Sequence, residues 1–110
     1  MIYGNVDINR NKEIKMLNSK QRAYLRGIAN SIEPIVHVGK TGINENLVKQ
    51  IDEALEAREI VKITVLNNSP EDAKLISEEI ANSAKAELVQ VIGKKITLYR
   101  KAKKPIIVLP

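Results

Sequence analysis

The sequence predicts an α/β fold of the α+β type, a two-layer sandwich in which a four-stranded mixed sheet carries helices mainly on one face. Apolar residues recur with helical spacing in three segments and alternate as in strands in four others, in the order α-β-α-β-α-β-β. Glycine, proline and asparagine mark the boundaries between these segments. The 110 residues, 44% of them apolar, are enough to bury the core of one domain.

The first predicted helix begins at Asn18 or Ser19, either of which can cap it, and ends near Ala29. Its apolar stripe has helical spacing and comprises Tyr24, Leu25, Ile28 and Ala29. Pro34 disfavours helical backbone at the residue before it, so the helix cannot continue through this position. The apolar run 35–38 that follows predicts a short strand.

The second predicted helix follows the loop 39–42 and is capped by Asn44. Its apolar positions keep helical spacing and comprise Leu47, Val48, Ile51, Ala54 and Leu55. Its outer face is acidic and carries Glu45, Asp52, Glu53 and Glu56. The next segment, 60–66, alternates apolar and polar residues and predicts a strand.

A third helix and a hairpin complete the predicted core. Ser69 is expected to cap the helix and Pro70 to occupy its first position. The residues expected to face inward are Leu75, Ile76, Ile80 and Ala84. Segments 88–92 and 96–99 are predicted strands joined at Gly93-Lys94, a hairpin signal. Residues 106–109 are expected to add a short edge strand.

The predicted domain spans residues 16–110, and the polar residues 1–15 are expected to form a leader outside its core, disordered or not native. The chain has no cysteine, which excludes disulfides and thiolate metal sites. No apolar run reaches the roughly 20 residues of a membrane-spanning helix. We therefore expect a cytoplasmic, monomeric protein with no cofactor and no small-molecule substrate.

Cations are concentrated in two parts of the chain. The formal net charge is +5 overall, +3 over residues 16–43, −4 over residues 44–86 and +5 over residues 87–110. If the fold brings the two basic segments together, one face of the domain becomes basic and the other acidic. A basic face suits a polyanion such as nucleic acid. Ordinary surface charge that keeps the protein soluble is the alternative.

The loop Gly39-Lys40-Thr41-Gly42 is the leading candidate for a binding site. Glycine permits a close backbone approach, and the helix that follows offers unpaired N–H groups at its start. KH domains clamp RNA backbone with a GxxG loop of this kind. Gly-Lys-Thr also ends the nucleotide P-loop, but that motif needs a glycine where Pro34 stands, so nucleotide binding is disfavoured. A plain strand-to-helix connection remains an alternative.

Other basic residues are candidates for contacts with flanking RNA backbone, because phosphate neutralisation supplies most non-specific affinity. They comprise Lys20, Arg22 and Arg26 in the first helix, and Lys94, Lys95, Arg100, Lys101, Lys103 and Lys104 near the C-terminus. The only aromatic residues are Tyr3, Tyr24 and Tyr99. This is too few for an aromatic stacking platform like that of an RRM, so recognition of backbone and shape is favoured.

No catalytic constellation is recognisable. His37 is the only histidine and is expected to pack or hydrogen-bond locally within its strand. The acidic residues of the second helix resemble a solvated face rather than a metal site. We therefore predict that the protein is not an enzyme. A protein-binding adaptor, using the acidic helix face or the segment 106–109, is the main alternative, and a small enzyme acting on RNA is a second one.

Three separated motifs resemble the YhbY family of small bacterial RNA-binding proteins, which consist of a single CRM (chloroplast RNA splicing and ribosome maturation) domain. They are LNSKQRAYLRG from Leu17, PIVHVGKTG from Pro34 and VQVIGK from Val89. The resemblance runs from residue 17 to about residue 109, whereas residues 1–15 depart from the family pattern.

The resemblance implies a fold like the C-terminal domain of bacterial translation initiation factor three. It also implies association with ribosomal RNA in precursors of the large ribosomal subunit and a role in ribosome assembly. In the family, the GxxG loop and adjacent basic residues are regarded as the RNA-binding surface. Here this carries over to Gly39, Lys40, Thr41 and Gly42, with Lys20, Arg22 and Arg26 as neighbours.

Overall fold

A computed structural model describes residues 17–110, so the predicted leader at 1–15 lies outside the described residues. Seven elements follow one another in the predicted order. They are α1 (Ser19–Ala29), β1 (Val36–Val38), α2 (Glu45–Arg58), β2 (Ile60–Val65), α3 (Ala73–Ser83), β3 (Glu87–Ile92) and β4 (Lys95–Tyr99). The predicted α+β order is therefore confirmed.

The four strands form one mixed sheet in the order β1-β2-β4-β3. β1 runs parallel to β2, and β4 is antiparallel to both β2 and β3. The ends of β1, β2 and β3 and the start of β4 therefore meet at one edge of the sheet. We call the three connections that meet there, residues 39–42, 66–72 and 93–94, the loop edge.

The main core lies between one face of the sheet and the helices α2 and α3. Val61, Ile63 and Val65 of β2 point into it, together with Ile96 and Leu98 of β4. The helices contribute Leu47, Ile51, Leu55, Ile76 and Ile80. This arrangement is the predicted two-layer sandwich.

A second cluster of buried residues lies on the other face of the sheet. Leu25 and Ala29 of α1 pack there against Ile60, Val89 and Tyr99. Ile60 pairs with Tyr99 at the end of the sheet farthest from the loop edge. Helix α1 therefore covers that end, and the row of the sheet nearest the loop edge is left uncovered by it.

The third helix starts later than predicted. Its cap is Asp72, whose Oδ1 accepts a hydrogen bond from the Leu75 N–H at 2.9 Å, and Pro70 lies in the preceding loop. The Ser69 hydroxyl instead donates to the Glu71 carbonyl. Ile76 and Ile80 lie on the buried stripe of this helix as predicted, whereas Leu75, which was also expected to face inward, lies to one side of that stripe and is 69% exposed.

Three further predictions about packing are wrong. Tyr24 is 45% exposed, because the buried stripe of α1 is centred on Leu25 and Ala29. Residues 106–109 form no strand; Ile107 and Leu109 instead pack against the cluster that contains Leu25 of α1, and the Gln21 side-chain amide donates to the Pro110 carbonyl at 3.2 Å. The side chain of His37 is exposed and makes no hydrogen bond among the described residues, since it points away from the main core.

Glu59 fixes this C-terminal tail. It is fully buried, has a φ of 66°, and its carboxylate accepts backbone N–H groups from Ala102 at 2.8 Å, Ile106 at 2.8 Å and Ile107 at 2.6 Å. Burial on its own raises the pKa of this carboxyl, but the three backbone hydrogen bonds and the charge of Lys101 together lower the pKa below its ordinary value. A buried charge with this many donors is a strong tether.

Candidate nucleic-acid interface

The loop 39–42 is a tight turn closed by a hydrogen bond from the Gly42 N–H to the Gly39 carbonyl at 3.0 Å. Lys40 and Thr41 occupy its tip and are exposed. The Thr41 hydroxyl oxygen accepts a hydrogen bond from the Asn44 side-chain amide at 3.1 Å. The turn therefore presents one cation and one hydroxyl from a fixed backbone.

Gly42 allows this turn to pack against the next loop. Its φ is +65°, a left-handed conformation that favours glycine, and an added Cβ would lie 3.2 Å from Cγ of Pro70. Gly39 has more room, with Oδ1 of Asn68 at 3.8 Å from the position of a Cβ. The loops 39–42 and 66–72 therefore lie in contact, and Gly42 is the position where this contact requires glycine.

The start of α2 lies directly behind the turn. Asn44 caps the helix by accepting the Leu47 N–H at 2.8 Å, which satisfies one of the four N–H groups that every helix leaves unpaired. Glu45 places a carboxylate in the first turn. Because this carboxylate partly offsets the positive end of the helix, Lys40 is the main source of positive charge at this point.

The hairpin turn 93–94 brings two more cations to the loop edge. The Lys94 ammonium donates to Oδ1 of Asn67, and the Lys94 carbonyl accepts the Val65 N–H at 2.8 Å. Lys95 begins β4 and is exposed. Lys40, Lys94 and Lys95, which come from two distant parts of the sequence, therefore lie along one edge of the sheet.

The basic residues of α1 divide between a structural contact and exposed positions. The Arg22 guanidinium donates to the Leu88 carbonyl at 2.6 Å and to the Glu87 carboxylate at 3.1 Å, and so ties α1 to β3. Arg26 follows one helical turn later, on the same side of α1 as Arg22, and is exposed. Lys20 is exposed as well.

Arg100 and Lys101 lie at the end of the sheet opposite the loop edge. The Arg100 guanidinium donates to the Asp52 carboxylate at 2.8 Å and to the Ala84 carbonyl at 2.8 Å, and its side chain is 17% exposed. Lys101 is exposed beside it. The basic residues predicted from the sequence therefore fall into three groups, one at the loop edge, one on α1 and one at the base of the tail.

Sequence reasoning missed the residues that support the loop edge. Asn67 holds Lys94, and Pro70 forms the surface against which Gly42 packs. Both belong to the connection between β2 and α3, which carries no motif of its own. Ser69 and Pro70 within it predicted the start of a helix rather than a contact with the loop 39–42.

The described residues 17–110 contain no group of three or more histidine, aspartate or glutamate side chains that could hold a metal ion. Within the same range, none of the helices is both long and apolar enough to cross a membrane.

Comparison with known proteins identifies the family of this chain. Residues 17–100 match the family model of the CRS1 / YhbY (CRM) domain. The chain is 47% identical over 88 residues to the "Probable RNA-binding protein YqeI" of Bacillus subtilis, covering 80% of this chain and 92% of that protein. It is 35% identical over 94 residues to an "RNA-binding protein" of Haemophilus influenzae, covering 86% of this chain and 95% of that protein.

A solved structure shares the fold. The solution structure of the hypothetical protein SAV1595 from Staphylococcus aureus, described as "a putative RNA binding protein", superposes with a TM-score of 0.73 at 49% identity. The match covers 86% of this chain and 100% of that one. The family model covers most of the chain, and both curated relatives match over nearly their whole length. This chain belongs to the CRS1/YhbY (CRM) domain family.

Proposed function

We propose that this protein binds RNA without catalysing a reaction, and that its target is ribosomal RNA in precursors of the large ribosomal subunit, whose assembly it assists. Family membership and the printed names of the relatives support the RNA-binding part. The observation that carries the proposal is the loop edge, where the exposed Lys40 of a glycine-containing turn lies on the same edge of the sheet as Lys94 and Lys95.

The loop edge suits a phosphate backbone for electrostatic reasons. Lys40 and Lys95 are exposed. Lys40 lies at the tip of a turn that packs, at Gly42, against Pro70 of the loop 66–72. Lysine contributes to RNA affinity by displacing counterions from phosphates, which makes binding depend on salt. Thr41 adds a hydroxyl that can donate to a phosphate oxygen.

The candidate residues of the loop edge, α1 and the base of the tail are proposed to act differently. Lys40, Thr41, Lys94 and Lys95 contact RNA directly, and Arg26 and Lys20 contact flanking backbone. Arg22 and Arg100 serve first to hold α1 and the end of β4, because their guanidinium groups are already engaged with protein acceptors. Lys101 contributes only to the general positive field.

The test is equilibrium binding of the protein to a fragment of large-subunit ribosomal RNA over a range of salt concentrations. The logarithm of the association constant should fall linearly with the logarithm of salt, with a slope of about 0.7–0.9 per phosphate contact. Lys40→Glu should weaken binding about tenfold and reduce the slope by about one. Its melting temperature should stay close to that of the parent protein, because Lys40 is exposed and makes no ion pair among the described residues.

Lys49→Glu is the matched control, since it makes the same change in net charge at an exposed position of α2, which packs on the other face of the sheet. It should affect binding much less than Lys40→Glu. Equal losses for the two variants would show that net charge rather than the loop edge determines affinity. A parent protein whose binding does not respond to salt would contradict the electrostatic mechanism.

Crosslinking in cells followed by sequencing of the bound RNA tests the ribosomal target. We expect enrichment of large-subunit ribosomal RNA and its precursors. Enrichment of other RNAs would refute the proposed target while leaving RNA binding intact. Partners that remain bound after nuclease treatment would instead favour the protein-binding adaptor.

A further inference from the structure

A row of four side chains crosses the sheet directly below the loop edge. The strand registers pair His37 with Thr64, Thr64 with Lys95, and Lys95 with Ile92, so the row runs through all four strands. Along its strand, each of these residues is followed or preceded by one that points into the main core. The row therefore lies on the opposite face of the sheet. We call these four residues the sheet row.

The sheet row is open to solvent. His37 and Lys95 are exposed, Thr64 is half-buried, and Ile92 is 60% exposed. The next row is closed, since the Lys62 ammonium donates to the Ala29 carbonyl at 2.8 Å and Thr97 is 1% exposed. The sheet row is thus a shallow surface bordered by the loop edge on one side and by this closed row on the other.

The charge of this surface fits RNA. The sheet row and the closed row beside it contain Lys62 and Lys95 but no carboxylate. Arg26 adds an exposed cation on α1, the helix that covers the other end of the same sheet face. The acidic residues of α2 lie on the far side of the sheet, because α2 packs on the other face.

The chemistry of the sheet row differs from that of the loop edge. The loop edge offers cations, which suit phosphates. The sheet row also offers an imidazole ring and an exposed isoleucine, which suit the faces of unstacked bases. Such bases stack on aromatic side chains, including histidine. Duplex RNA keeps its bases inside the helix and could not use these two side chains. We propose that the sheet row binds an unpaired stretch of the same RNA, with bases lying on His37 and Ile92 and the backbone passing Lys95.

This inference rests on the proposed function and extends it, because RNA held at the loop edge by Lys40 would continue across the sheet row. The probes are a single-stranded 20-nucleotide RNA and a duplex of the same length. The parent protein should bind the single strand at least about fivefold more tightly than the duplex at equal salt.

Ile92→Ser and His37→Ala should each weaken binding of the single strand about fivefold or more, since stacking of one base contributes an effect of that size or larger. The salt slope should stay unchanged in both variants, because stacking releases no counterions. His37→Phe should retain parental affinity, since its ring can still stack. Leu75→Ser is the matched control, because Leu75 is 69% exposed and lies on α3, on the other side of the sheet.

The outcomes separate the two proposals. If Lys40→Glu weakens RNA binding but Ile92→Ser and His37→Ala do not, the proposed role of the sheet row is refuted and the proposed function stands. A parent protein that binds neither probe would refute the proposed function itself. The role of the sheet row is also refuted if Ile92→Ser and Leu75→Ser lose the same affinity for the single strand. It is likewise refuted if His37→Phe binds the single strand as weakly as His37→Ala does.

Discussion

Replacing Glu59 by glutamine tests the contact that holds the C-terminal tail against the sheet. The glutamate is fully buried, and its two oxygens accept the N–H groups of Ala102, Ile106 and Ile107. Glutamine has nearly the same shape but only one acceptor oxygen, and its amide group would place a donor against a donor. The substitution therefore removes hydrogen bonds without opening a cavity.

The size of the effect follows from these contacts. Each hydrogen bond to a charged acceptor contributes about 1.5–3 kcal/mol, against roughly 1 kcal/mol for a neutral one. Glu59→Gln loses one such bond and converts two others to neutral bonds, so we expect the free energy of unfolding to fall by about 3 kcal/mol. With a typical urea m-value of about 1.5 kcal/mol per M, the midpoint should fall by about 2 M.

The loss should depend on pH in a defined direction. The pKa of Glu59 is lower in the folded protein than its ordinary value of 4.5. Its charge therefore stabilises the fold above pH 4.5, and this contribution disappears as the pH falls through the folded pKa. Urea unfolding from pH 7 to pH 3 should show the difference between parent and Glu59→Gln shrinking as the pH decreases.

Glu56→Gln is the control for this experiment. Glu56 also accepts a backbone N–H, that of Lys103 at 2.9 Å, but its side chain is 43% exposed. Its loss should cost less than about 1 kcal/mol because water can replace the contact. The reasoning about Glu59 is refuted if Glu59→Gln unfolds within 0.5 kcal/mol of the parent protein, or if the difference between them is the same at pH 7 and pH 3.

Three further predictions concern stability. Gly42→Ala should lower the free energy of unfolding by about 1–2 kcal/mol, because alanine is strained at a φ of +65° and its Cβ would approach the ring of Pro70. The melting temperature should fall, and an unchanged value would contradict the strain. Arg100→Lys should lower the free energy of unfolding in urea by about 1–3 kcal/mol, since an ammonium cannot reproduce the forked contacts to Asp52 of α2 and to Ala84 at the end of α3. An unchanged free energy would show that these contacts do not stabilise the fold. Leu75→Lys should change the unfolding free energy by less than about 0.5 kcal/mol, whereas Ile76→Ala should cost about 2–4 kcal/mol. Large losses for both variants would instead agree with the sequence-based expectation that both side chains face inward.

Local patterns were sufficient wherever one segment supplied its own signal. Asn44 caps α2 as its sequence indicates, because a cap needs only the residues of the next turn. The hairpin turn at Gly93-Lys94 was predicted from the turn residues between two alternating segments. The position of the loop 39–42 between a strand and a helix was predicted for the same reason.

Competing local signals misled the prediction for α3. Ser69 followed by Pro70 is a good start for a helix, and so is Asp72 three residues later. The structure uses Asp72 as the cap, and packing against the sheet buries Ile76 and Ile80 while leaving Leu75 exposed. Which of the neighbouring apolar residues Leu75 and Ile76 faces the sheet depends on contacts with distant strands, so no pattern within the segment could assign it.

The sequence by itself determined the element order, the glycine-containing loop and the excess of cations outside the middle of the chain, because these depend on residue types and on short-range spacing. Only the tertiary structure decided which cations share a surface. The parallel pairing of β1 with β2 brings Lys40 to the same edge as Lys94 and Lys95, and antiparallel β4 carries Arg100 to the other end. Strand pairing is a contact between distant residues, and it fixed the place of each charge.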